Sequence, residues 1–172
     1  MAMVQAVADG VIDIISSFHT PADEESKHFN LLCDCLEAAG SHYGAMPAHA
    51  FMWQAAEDTA ADLHGRLAVV PMVLEARGLD VTPDIQRKLR GYGDPAGAGI
   101  LDIILRDEIG HVGLGDRWYR HLCTERGLEP ESTYRDLLTR YQAPWPQGKM
   151  NEAARLAAGF SAGELAVLAK KR

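Results

Sequence analysis

Apolar positions recur along most of this chain with the period of a helix. In residues 3–18 (MVQAVADGVIDIISSF), Val4, Val7, Val11, Ile15 and Phe18 share one face, which predicts a short amphipathic helix. Thr20 can cap the next helix, Pro21 suits its first position, and Asp23 and Glu24 suit the positive end of its dipole. That helix should run to about Ala39, with Gly40 as its stop. SHYGAMPAH (41–49) reads as a loop. A long helix follows from about Ala50 to Arg77, kinked at Pro71 and ended by Gly78. GLDVTP reads as a turn, 84–90 as a short helix and GYGDPAGAG as a break. The last strong helix spans roughly 96–126 and stops at Gly127.

The tail holds a short helix near 131–142, a Pro-rich loop (APWPQG) and two further helical pieces. Ser161 and Glu164 fit a capping box at the start of the last. No repeat and no low-complexity tract is visible. The expectation is an all-α fold: a four-helix bundle with a long second-to-third crossover and extra C-terminal helices. We read one domain over 1–172, with its bundle core at about 3–126 and an extension at about 127–172.

Composition narrows the picture. A chain of 172 residues suffices for one cored domain. Hydrophobic residues at 47% with few aromatics, and little β-branched alternation, suit helices. The formal charge of −7 gives no footprint for nucleic acid or anionic lipid. Cys33, Cys35 and Cys123 are odd in number, and the first two face apart on a helix, so no disulfide framework is expected. The start lacks a signal-peptide pattern, and no apolar run reaches membrane-span length. The expectation is a soluble cytoplasmic protein.

Two Glu-x-x-His pairs carry the candidate chemistry: Glu25 with His28, and Glu108 with His111. Such pairs also arise by chance, so the helix face decides. Phe29, Leu32, Cys33, Cys35, Leu36 and Ala39 set the apolar arc of the second helix, and Glu25 and His28 fall inside it. In the fourth helix, Ile100, Leu101, Ile104, Leu105 and Val112 help set the arc. Glu108 sits near its centre and His111 beside it, with Arg106, Arg117 and Arg120 opposite. Two carboxylates and two imidazoles therefore point at the core, where an unpartnered carboxylate costs several kcal/mol or protonates. A shared cation removes that cost, and this donor set suits iron.

Glu75 is a third candidate acid. It closes the apolar run LAVVPMVLE, 33 residues before Glu108, a spacing that lets both sit at one depth. Taken singly, each feature has an ordinary alternative. Glu25 and His28 also read as a solvated helix start, Glu108 and His111 as a buried hydrogen-bonded pair, and Glu75 as a helix-end acid beside Arg77. His64 and Glu57 read as supporting or structural groups, and His19, His42, His49 and His121 as loop or surface residues.

The stretches DEESKHFNLL, YGAMPAH, RLAVVPMVLEARGLDVTP, RDEIGHV and NEAARLAAGF resemble the ferritin-like di-iron carboxylate superfamily. Within it the chain is most similar to an uncharacterised bacterial ferritin-like family, a domain of unknown function distantly akin to tRNA hydroxylases. The resemblance implies a metal site at Glu25, His28, Glu75, Glu108 and His111. It brings no substrate with it. The pattern also calls for a first-helix glutamate about thirty residues before Glu25, so the first helix is expected to be shortened or replaced. Asp13 would lie level with Glu25 in a tight hairpin around His19–Thr20, which makes it an extra candidate ligand, although it lies opposite the apolar stripe.

The functional expectation is a non-haem di-iron oxidoreductase, an oxygen-activating oxidase or hydroxylase of unknown substrate and electron donor. Two iron ions fit an intact site; one ion, or manganese, fits the same ligands. A metal-binding or ferroxidase-like protein without organic substrate is one alternative, and a helical interaction module with a degenerate site is another. A shortened first helix leaves apolar wall uncovered, so a homodimer is expected.

Overall fold

The computed structural model describes residues 13–170 of the chain. Among the described residues every regular element is helical and there is no strand. No described helix is long and apolar enough to cross a membrane. The chain divides into two compact units, one up to Met46 and one from Pro47.

In the first unit, residues 13–17 are helical and Phe18 interrupts before α1 (His19–Ala38). Thr20 does not cap α1. Phe18 takes the cap position without a side-chain bond, and the Ala22 N–H reaches the Phe18 carbonyl at 3.1 Å. Pro21 therefore sits in the first turn, where its missing N–H leaves nothing unpaired. Gly40, at φ 75°, ends the helix as expected, with Ser41 N–H donating to the Leu36 carbonyl at 2.8 Å.

The expected N-terminal face needs correction. Ile14 is buried and Ile15 is 62% exposed. Val4, Val7 and Val11, which anchored that face, lie outside the described residues. Along α1 only His28 is buried, while Phe29 and Leu32 stay exposed. Phe29 meets the ring of Tyr43 edge-on at 5.1 Å instead.

The second unit begins with α2 (Phe51–Asp58) and α3 (Leu63–Val69). The helix expected from Ala50 to Arg77 is thus broken at 59–62. Asp62 accepts from the Gly65 N–H at 3.1 Å and starts a fresh helix. The buried Thr59 hydroxyl turns back to the Ala55 carbonyl at 2.7 Å and accepts from Arg66 Nε at 2.6 Å. Side-chain bonding of this kind competes with the helical ladder.

At Pro71 the chain does not simply kink. Residues Val70–Glu75 form a π-helical segment. The Ala76 N–H donates to the Pro71 carbonyl, five residues back, and to that of Val73. The Met72 carbonyl accepts from the buried Tyr134 hydroxyl at 3.1 Å. Gly115 makes room on the facing helix.

α4 (Ala76–Gly91) then runs straight through Gly78 and through Pro83. The expected turn at GLDVTP is overturned. Pro83 removes the donor that would serve the Leu79 carbonyl, and Asn151 Nδ2 supplies one at 3.2 Å. A long-range partner rescues the helix, which no local pattern reveals.

α5 (Pro95–Arg126) matches expectation. Asp94 caps it through Gly97 N–H at 2.8 Å, and Gly127, at φ 63°, closes it. Its 32 residues span about 48 Å. α5 packs along α4 and also meets α3, the π segment, α6 (Pro130–Arg140) and α7 (Glu152–Ala157). Leu67, Met72, Leu79, Val112 and Tyr119 are buried in this core. The capping box of α8 (Ala162–Lys170) forms as read: Glu164 N–H donates to Ser161 Oγ at 3.0 Å, and Ser161 N–H to Glu164 Oε2 at 2.7 Å.

Candidate metal centre

The fourth-helix pair lies midway along α5 in the second unit. Glu108 and His111 are one turn apart, so both leave the same face. Glu108 Oε2 and His111 Nδ1 stand 3.6 Å apart, with the side chains 16% and 5% exposed. The pair in the first unit, on α1, repeats this geometry. Glu25 Oε1 and His28 Nδ1 stand 3.7 Å apart, the imidazole 4% and the carboxylate 55% exposed.

Both separations are too long for a good hydrogen bond. Both are shorter than twice a ligand-to-ion distance of about 2.1 Å, so each pair can share one ion. His28 and His111 are buried and Glu108 is partly so, whereas Glu25 is more open than its place in the apolar arc implied.

Glu75 ends the π segment in the second unit and is half-buried. The extra residue in that turn changes the direction in which Glu75 leaves the helix, relative to an unbroken α-helix. Such segments are frequent at functional sites. Asp13 is exposed on the short helix before Phe18.

The glycines beside the α5 pair differ in role. Gly110 has open space where a Cβ would stand, a Cβ at Gly113 would meet the Ala158 carbonyl oxygen at 3.4 Å, and one at Gly115 would overlap Pro71. Close packing thus accounts for Gly115, and not for Gly110; at Gly113 a Cβ would make an ordinary contact.

His64 belongs to a different, structural cluster. Its Nε2 lies 3.3 Å from Cys123 Sγ, and its Nδ1 lies 3.3 Å from Arg126 Nη1. Arginine can only donate, so Nδ1 accepts and the imidazole proton sits on Nε2, toward sulfur. Burial and the neighbouring Arg126 hold His64 below its ordinary pKa, and burial pushes the Cys123 thiol up. A neutral thiol beside a neutral imidazole is a packed pair and not an activated nucleophile. Glu57 is exposed and accepts from Trp53 Nε1 at 2.9 Å. His19, His42, His49 and His121 are exposed, as read.

Sequence reasoning missed the buried ionic network of the second unit. Arg155 is 1% exposed and clasps Asp80 through Nε at 2.9 Å and Nη2 at 2.7 Å. Arg120 bridges Asp116 and Glu164, both buried. Burial raises the pKa of Asp116 above the usual carboxylate range, although the Arg120 guanidinium opposes this. The i,i+4 spacing of Asp116 and Arg120 was the one local signal of this network.

The comparisons with known proteins give a family and leave the chemistry open. No solved structure matches the chain. An uncharacterised protein of Haemophilus influenzae is 48% identical over 144 residues, covering 84% of this chain and 50% of that protein. The chain thus spans about half the length of this relative. The profile of a family described as a protein of unknown function, DUF455, matches residues 12–166. With nearly the whole chain covered, this protein belongs to the DUF455 family.

Proposed function

We propose that this chain is a metal-binding protein of ferritin-like type, and that its metal site serves a non-haem di-iron oxidoreductase. Glu25, His28, Glu75, Glu108 and His111 would hold two ions, iron first and manganese next by donor chemistry. The observation that carries the reading is the repeated pair. Two Glu-x-x-His turns each set a carboxylate oxygen and a buried imidazole 3.6 to 3.7 Å apart. Helical carboxylate and Glu-x-x-His ligands are the known pattern of di-iron bundles.

When bound, a ferrous pair supplies oxygen activation for oxidising an organic substrate. The chain's residues do the rest. The i,i+3 spacing fixes each carboxylate and imidazole to approach from one side. Burial of His28 and His111 keeps bulk water from competing for their ring nitrogens. Asp13, exposed in the first unit, is the remaining candidate ligand. A homodimer belongs to the same reading, since Phe51, Met52 and Trp53 remain exposed on α2.

The exposure of Glu25 favours a second reading, a ferroxidase-like protein that takes ions from solution and has no organic substrate. Oxygen uptake by protein loaded with ferrous ion, with and without a reductant, separates the two. An oxidoreductase sustains uptake with the reductant, whereas a ferroxidase stops when its iron is oxidised. Uptake no faster than free ferrous ion, and unchanged in Glu108→Ala, would sink both.

A further inference from the structure

A cavity of about 490 Å³ opens within the second unit, beside the π-helical segment. Its volume falls in the range of small-molecule sites. Met72 and Val73 of the π segment form one wall, Tyr134 and Leu138 of α6 another, and Trp145 and Leu168 complete the apolar lining. Two guanidinium groups, Arg77 and Arg155, also line it, and among the described residues no carboxylate does.

The two guanidinium groups differ in their partners. Arg155 shares its charge with Asp80 across a buried pair. Its Nη1 is nonetheless buried with no hydrogen-bond partner, and a buried donor left so is costly. Arg77, at an exposed position, has neither an ion pair nor a hydrogen bond among the described residues. The lining thus offers one buried guanidinium donor without an acceptor and a second, solvent-exposed guanidinium. Arginine cannot neutralise itself by losing a proton. An acceptor carrying a negative charge suits both groups.

We propose that this cavity binds a small-molecule monocarboxylate with an apolar body, its carboxylate held by Arg77 and Arg155 and its body lying along Trp145, Tyr134 and Met72. Guanidinium groups match carboxylate geometry, and the aromatic and aliphatic walls take the hydrocarbon. Binding does not depend on a metal. That the occupant is the substrate does rest on the oxidoreductase reading, through Glu75, which ends the segment that walls the cavity.

Calorimetric titration of the full chain tests this with octanoate, 1-octanol, octylammonium and octyl phosphate, on protein as purified and after chelator treatment. Octanoate should bind one per chain in both preparations, and more tightly than the other three. Arg77→Gln, at an exposed position with no partners to lose, should weaken octanoate about three- to tenfold and leave octanol unchanged. The paired change Asp80→Asn with Arg155→Gln, which keeps neutral hydrogen-bonding groups in place, should weaken it about tenfold or more. Matching unfolding midpoints for Arg77→Gln and the parent chain exclude a folding artefact. Octanoate binding no tighter than octanol, binding unaffected by either variant, or tighter binding of octyl phosphate would each overturn the proposal. Octanoate binding that survives chelation while iron binding proves absent would retain the pocket and sink only the metal reading.

Discussion

Gly115 of α5 lies directly against Pro71 of the π segment. A Cβ at Gly115 would stand closer than 3.0 Å to Pro71 Cβ and Cγ. The contact joins the helix that carries Glu108 and His111 to the segment that ends in Glu75. Gly115→Ala gains up to about 1 kcal/mol of helix propensity, but overpacking costs about 1–3 kcal/mol. The net expectation is a loss of up to about 2 kcal/mol. Gly110→Ala, where no atom lies within 4 Å, should instead stabilise by about 0.5–1 kcal/mol. Urea midpoints of both variants check this, and shifts of the same sign would contradict it.

Asn151 and Pro83 should be coupled. Asn151→Ala strands the Leu79 carbonyl and removes the cap on α7, where Oδ1 accepts from Ala154 N–H at 3.3 Å. The loss should be about 2 kcal/mol. Pro83→Ala returns a backbone donor to Leu79, so adding it to Asn151→Ala should recover about 1 kcal/mol. A double-mutant cycle with no coupling would show that the Leu79 contact does not support α4.

Asp80 and Arg155 are both buried, with side chains 7% and 2% exposed. Asp80→Leu alone leaves a buried guanidinium unpaired and should cost about 3–5 kcal/mol. Adding Arg155→Met should recover most of that, because an apolar pair of similar volume replaces the ions. Thermal unfolding of the single and double variants decides it, and equal losses in both would contradict it.

His64 makes stability depend on pH. Its folded pKa is lowered by burial and by Arg126, so the unfolded chain takes up a proton first as pH falls. This contribution is therefore constant above about pH 6.5, falls as pH drops through that value, and levels off below the folded pKa. Urea midpoints measured from about pH 8 to about pH 5 should show this decline, and His64→Gln should flatten part of it. A profile identical in the two proteins would contradict the assignment.

What the sequence made legible follows from how local each signal is. The ends of α5 and the capping box of α8 depend on residues within one turn, and both form as read. The burial of His111 followed from helical period, whereas His28 is buried although Phe29 and Leu32, which set its expected arc, are exposed. The break at Thr59–Asp62 was missed because Arg66 and Asp62 settle it by side-chain bonds that compete with an otherwise good helical pattern. The continuity of α4 through Gly78 and Pro83 depends on Asn151, 72 residues beyond Leu79. The π segment takes its bond from Tyr134, 62 residues from Met72, and its room from Gly115. Asp80 and Arg155 likewise meet only through the fold.

Metal content per chain, measured on protein expressed in iron-supplemented medium and purified without chelator, tests the account most directly. Two ions per chain, predominantly iron, lost in both Glu108→Ala and His28→Ala while each variant keeps its helical signal, is the predicted result. A folded parent chain that holds no iron or manganese would contradict it.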